Sequence, residues 1–239
     1  MARTAIWRSI ADTLGAEIAA GGWRPGDRLP TEAQLSARFD VNRHTVRRAL
    51  ASLAGAGAVV ARRGSGVYVA TVPTDYPLGR RVRFHRNVLA SGQTPSRRLA
   101  SVETRAADAA EARALGLAPG EPVHVATGVS LADGRPIAAF RSVFPATRLP
   151  DLPEALRATD SVTRALAACG VADHIRASTR LTAVAADAIQ ARHMGLAEGA
   201  PLLRSVGVNT DAAGRPVEYG TTWFAGDRVT LTLAGDQAP

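Results

Sequence analysis

Cysteine is almost missing from this 239-residue chain: Cys169 stands alone. That excludes an internal disulfide framework, a paired-thiol redox cycle and a CxxC zinc knuckle. Aromatic residues make up only 5%, and no apolar run approaches the ~20 residues that cross a bilayer. The opening MARTAIWRSI has no signal-peptide core, so a cytoplasmic protein with no membrane partner is expected. Catalytic signatures are missing too: no nucleophile elbow, HExxH, Walker loop or GxGxxG occurs, and His44, His85, His124, His174 and His193 are scattered. No catalytic residue, cofactor or metal is expected, and an enzyme is the remote reading. What remains is a chain with 46% hydrophobic residues, ample for packed cores.

Lysine is absent, and all 29 basic residues are arginine. Their placement is uneven. Residues 1–70 hold 10 arginines against 5 acids, residues 71–98 hold 6 against 1, and residues 99–239 hold 13 against 15, so the net charge of +8 is entirely N-terminal. Two readings of this imbalance stand, a polyanion-binding head or a basic solvated face.

In the first third, Ile6, Ile10, Leu14 and Ile18 recur every fourth residue and form an apolar stripe on a helix that stops at Gly21-Gly22. Thr31 with Gln34 three residues on makes a capping box for a second helix running to about Phe39. After the turn Asp40-Val41-Asn42, Asn42 caps a third helix that buries Val46, Ala49, Leu50 and Leu53. His44, Arg47, Arg48 and Ala51 then fall on the opposite face with Arg43 at its N-terminal edge, so three arginines and a histidine crowd the first turns. A recognition helix needs donors there, because arginine grips guanine O6 and N7 bidentately in the major groove. Val59-Val60 and Val67-Tyr68-Val69 flank Arg62-Arg63-Gly64-Ser65-Gly66, a hairpin with a basic, glycine-rich tip. The order is that of a winged helix-turn-helix.

Pro73 and Pro77 mark an extended linker, followed by Arg80, Arg81, Arg83 and Arg86, read either as a solvated surface or as a segment near DNA. Further on the chain repeats itself. Asp108 to Val129 aligns without gaps on Asp187 to Val208 at an offset of 79, with 11 identities in 22 positions. Beyond one extra residue, Gly134-Arg135-Pro136 pairs with Gly214-Arg215-Pro216 and Phe144 with Phe224. Each copy reads as a capped helix, a strand, a turn and a second strand, so two copies give a pseudo-twofold antiparallel sheet with a ligand cleft between them. The expected fold class is α+β.

The string RPGDRLPTEAQLSARFDVNRHTVRRALASLAGAGAVVARRGSGVYVA resembles the DNA-binding domain of the GntR family of bacterial transcription regulators. The segment from Leu99 to Leu233 resembles the UTRA effector-sensing domain of its HutC subfamily, whose fold is similar to that of chorismate lyase. The strings SARFDVNRHTVRRAL and DYPLGRRVRFHRNVLASGQTPS are similar to the phosphonate-utilisation repressor branch. The resemblance implies a DNA-binding domain over residues 1–70, a linker and lead-in over 71–96, and a UTRA domain over 97–239. It also implies DNA contacts by Arg43, Thr45, Arg47 and Gly64. Thr31, His44, Arg48, Arg62 and Arg63 complete the expected DNA-facing set. Ala33, Asn42 and His44 depart from the family's commoner residues.

For the anion, Ser161 and Thr163 flank a helix start and either cap it or wrap a phosphate. The resemblance implies the second, helped by strand arginines whose places here hold Gly128 and Ser130. Arg141, on the next strand, either supplies the missing charge or points to solvent. Glu218 and Trp223 resemble the family's remaining pocket residues, against the plain readings of a surface carboxylate and a core aromatic. Thr94 and Ser96 add hydroxyls at the start of the sensing domain. The expected function is a homodimeric, sequence-specific DNA-binding repressor on an inverted-repeat operator, controlled by a small anionic effector of phosphonate metabolism. The alternative effectors are a sugar phosphate or an amino-acid catabolite.

Overall fold

The computed structural model describes residues 5–62, 64–71, 73–81, 83–159 and 161–233. Arg63, singled out above, and Asp160, which precedes Ser161 in the sequence, lie outside the described residues. The chain divides into two compact units, Met1–Val72 and Pro73–Pro239. No helix among the described residues is long and apolar enough to cross a membrane.

In the first unit, α1 (Ile6–Ala19), α2 (Glu32–Phe39) and α3 (Arg43–Gly55) precede the hairpin β1 (Val59–Arg62) and β2 (Gly66–Val69). The capping box at Thr31 forms: its hydroxyl accepts the Gln34 N–H, and Gln34 Oε1 accepts the Thr31 N–H at 2.8 Å. Asp40 takes the left-handed conformation (φ 48°) that ends α2, and Asn42 Oδ1 accepts the Thr45 N–H at 2.9 Å to start α3. Ile10, Leu14, Leu35, Val46, Ala49, Leu50 and Leu53 close one core with Val59 and Val69 of the wing. Ile6 is the exception to the α1 stripe, 64% exposed in the first turn and outside this core.

The second unit is a six-stranded sheet in the order β4-β5-β6-β9-β8-β7, antiparallel throughout. Its strands are β4 (Pro95–Ala106), β5 (Pro122–Ala132), β6 (Arg135–Pro145), β7 (His174–Ala185), β8 (Pro201–Asp211) and β9 (Pro216–Ala225). The two copies supply three strands each and meet at the β6–β9 pair, where Arg141 lies opposite Thr221. With the one-residue insertion these two are repeat equivalents, so the pseudo-twofold axis passes through them. Helices α5 (Ala109–Leu115) and α8 (Ala188–Met194) pack crosswise on one face, each on a strand of the other copy.

The opposite face is covered by α6 (Leu152–Ala158), α7 (Val162–Ala168) and the chain before the repeat. Here the linker expectation is corrected. Residues 74–77 form β3 (Thr74–Pro77), which pairs in parallel with β10 (Val229–Thr232), and Phe84–Ala90 form α4. Both are held because Tyr76, Phe84 and Val88 bury against Ala138 and Phe224 of the sheet. The arginine-rich stretch is bound as well, with Arg81 and Arg83 paired to Asp173.

Candidate functional site

On the first unit, α3 presents Arg43 and His44 exposed, with no hydrogen-bond partner among the described residues. Arg47 is already engaged, its Nε 3.1 Å and Nη2 2.8 Å from the two Glu32 oxygens, a contact that holds the Glu32 carboxyl below its ordinary range. Arg48 stacks on Trp7 with its guanidinium carbon 4.7 Å from the ring centre, and Arg62 on Tyr68 at 4.6 Å. The Thr45 hydroxyl donates to Asn42 at 2.9 Å, and Thr31 is occupied in the capping box. Gly64 (φ 72°) turns the wing tip, where a left-handed residue is needed and glycine costs least. The result is a basic, half-tethered surface at the start of α3, the position a helix-turn-helix inserts into the major groove.

The second unit encloses a cavity of about 500 Å³ on the α4–α7 face of the sheet. Arg97 of β4 and Arg176 of β7 both line it, and they are equivalent residues of the two copies, 79 positions apart. Arg97 lies across the rings of Phe84 and Phe140, 5.0 and 4.7 Å from their centres. Arg176 donates from Nε to Asn209 Oδ1 at 2.8 Å. It is able to do so because Gly207 lies beneath it: a Cβ there would come within 2.6 Å of the guanidinium. Ser161 and Thr163 line the same space, with Ser161 capping α7 through the Arg164 N–H at 3.4 Å. Glu218 faces in from β9, accepting the Ser142 hydroxyl at 2.6 Å and the Asn209 amide at 2.6 Å. His174, 4% exposed, completes this wall, its imidazole held below the ordinary histidine range chiefly by burial.

Of the residues expected to bind an effector, the structure brings Ser161, Thr163 and Glu218 together and leaves five outside the cavity lining. Arg141 is the clearest correction. It points neither into the cavity nor to solvent but to the other face, where it pairs with Glu111 of α5. Alternation along β6 decides this, since Phe140 and Ser142 take the cavity face. Trp223 goes the same way on β9 and packs against the α8 side of the sheet, the core reading. Ser130 is opposite Arg97 and Ala138 in register and buried, but it does not line the cavity. Thr94 is held at a turn by Asp133, its N–H 2.8 Å from Oδ1, and Ser96 stands on β4 one residue out of phase with Arg97. The missed residues are Arg97, Arg176, His174, Ser142 and Asn209. Carrying the offset of 79 upstream of Asp108 aligns Arg97 on Arg176, and that was the available signal.

A winged helix-turn-helix unit with arginines on its third helix, joined in one chain to a duplicated sheet unit with an arginine-lined cavity, defines a DNA-binding transcription regulator. Residues 7–69 match the family described as bacterial regulatory proteins, gntR family, and residues 90–230 match the UTRA domain. The chain is 39% identical to an uncharacterized HTH-type transcriptional regulator of Rhizobium meliloti (strain 1021), over 96% of this chain and 94% of that one. It is 35% identical to the probable transcriptional regulator PhnF of Escherichia coli (strain K12), over 95% and 94%. The crystal structure of PhnF from Mycobacterium smegmatis superimposes with a TM-score of 0.66 at 27% identity, covering 96% of this chain and 100% of that one. The chain belongs to the gntR family of bacterial transcription regulators, in the branch that carries a UTRA domain and is similar to PhnF.

Proposed function

We propose that the protein is a homodimeric repressor whose 1–70 heads bind an inverted-repeat operator, and whose 97–239 domain releases it on binding a small phosphonate-like anion. Arg43, His44, Thr45 and Arg47 meet the bases, and Arg48, Arg62, Arg63, Gly64 and Thr31 meet the backbone. The observation that carries the ligand reading is the pair Arg97 and Arg176. Two guanidinium groups from equivalent places of a duplicated fold converge on one cavity beside the hydroxyls of Ser161 and Thr163. Among the described residues, five arginines and one carboxylate line that space, a balance that favours an anion. The resemblance to the phosphonate-utilisation branch selects the phosphonate.

The cavity volume, about 500 Å³, favours a second reading, a bulkier sugar phosphate. One experiment separates them. Footprinting on the protein's own promoter region is expected to show a short palindromic site, released by phosphonates and unmoved by sugar phosphates. Diffuse, sequence-blind protection would sink the repressor reading, and release by sugar phosphates alone would move the ligand to the second class.

A further inference from the structure

The paired arginines occupy only one side of the cavity. On the other, Glu218 is 9% exposed, and its two oxygens accept from Ser142 and Asn209, both neutral donors. Among the described residues no basic group stands within 4.0 Å of that carboxylate as an ion-pair partner, and Arg176 directs its Nε to Asn209 instead. A carboxylate kept from water by neutral partners alone is costly until a cation joins it.

On the same wall, His174 is 4% exposed, and its Nδ1 has no hydrogen-bond partner. Glu218 is the charge that acts most on this imidazole, ahead of Arg83, Asp173 and Arg176. The repeat shows that this wall is special to one copy. Where the second copy has Glu218, Asn209 and Gly220, the first has Ala138, Ser130 and Phe140. Glycine in place of phenylalanine leaves one carboxylate oxygen open to approach, since a Cβ at 220 would stand 3.4 Å from Oε1.

We propose that this wall holds an ammonium group, so that the ligand is a zwitterion: a phosphonate or phosphate ester carrying a primary amine, with its anionic head at Arg97 and Arg176. The inference rests on the anion reading above and names what the other end of the molecule must be. An ammonium offers three N–H donors, enough for Glu218 and for the vacant Nδ1 of His174.

The test is calorimetric titration of the full chain with matched series. ω-Aminoalkyl phosphonates of two to four carbons are compared with the alkyl and ω-hydroxyalkyl phosphonates of equal length, and phosphoethanolamine separates an ester from a phosphonate source. At least one amine is expected to bind about tenfold or more tighter than both of its counterparts. Glu218→Gln is expected to erase that preference, so that amine, hydroxyl and alkyl compounds bind the variant alike, and His174→Asn to weaken the amines more than their counterparts. Equal binding of amine, hydroxyl and alkyl compounds by the unaltered protein overturns the inference but leaves the anion site standing. Binding of none of them overturns both. The comparison within the unaltered protein decides the matter even where a variant fails to fold.

Discussion

Arg97 and Arg176 carry equal charge on different supports. Arg97 lies on two aromatic rings, whereas Arg176 is steered by Asn209 across Gly207. Replacing either by alanine is expected to weaken phosphonate binding about tenfold or more in calorimetry, and Arg97→Lys to restore little of it, since a compact ammonium neither stacks nor forks. Arg141→Ala makes the opposite prediction. Its partner Glu111 is on the far side of the sheet, so ligand affinity should stay within twofold of the parent while the melting temperature falls. Ligand affinity that follows Arg141 and ignores Arg97 would overturn the site as drawn. On the head, Arg43 is exposed and, unlike Arg47, makes no ion pair among the described residues, and Arg43→Ala is expected to cost about 1–3 kcal/mol of operator binding by gel shift.

At the scale of elements, the first unit was legible nearly residue by residue because its signals are local. A cap at Thr31, a turn at Asp40 and a cap at Asn42 each act within four residues, and together they place Arg43 and Arg47 on an outward face. The cavity was legible only in outline. Its lining depends on which face each strand turns inward, and that is fixed by register across six strands and by bulges at Leu99/Ser101 and Arg176/Ser178. Pro73 and Pro77 read as linker punctuation, yet the pairing partner of β3 lies some 150 residues away at β10, a contact no local pattern carries.

The same sheet holds an acid-sensitive joint. Glu111 of α5 is 1% exposed and bound by Arg105 of β4 and Arg141 of β6, and Arg105 above all lowers its pKa from 4.5 to about 2. Between those values the unfolded chain binds the proton and the folded chain does not, so stability rises with pH across this window. Urea melts should lose about 2 to 3 kcal/mol as pH falls from about 5 to 2, and Glu111→Gln should flatten that step after an initial loss. His124 and His174, both lowered by burial, act in the same sense as pH falls below 6.5, so the carboxylate's share is the difference between the parent and Glu111→Gln profiles. A variant with an unchanged acid profile would show that the joint contributes nothing.

For the whole molecule, the charge division and the duplication assign different tasks to the two units. The arginine excess of residues 1–70, 10 against 5 acids, predicts operator binding that weakens steeply with salt, and the cavity predicts a ligand that moves the same equilibrium. Linkage then makes a quantitative demand: if a bound phosphonate weakens operator affinity by some factor, a saturating operator duplex must weaken phosphonate affinity by the same factor. Titrating the tightest-binding phosphonate into the protein with and without operator measures one side, and gel shifts with and without that phosphonate measure the other. Factors between about 5 and 150 would be ordinary for such coupling. The decisive control is Arg97→Ala, which is expected to keep full operator affinity and lose the phosphonate response. If phosphonate still releases DNA from that variant, the anion acts at the arginines of the head as a competitor for phosphate contacts, and the duplicated unit is not the sensor.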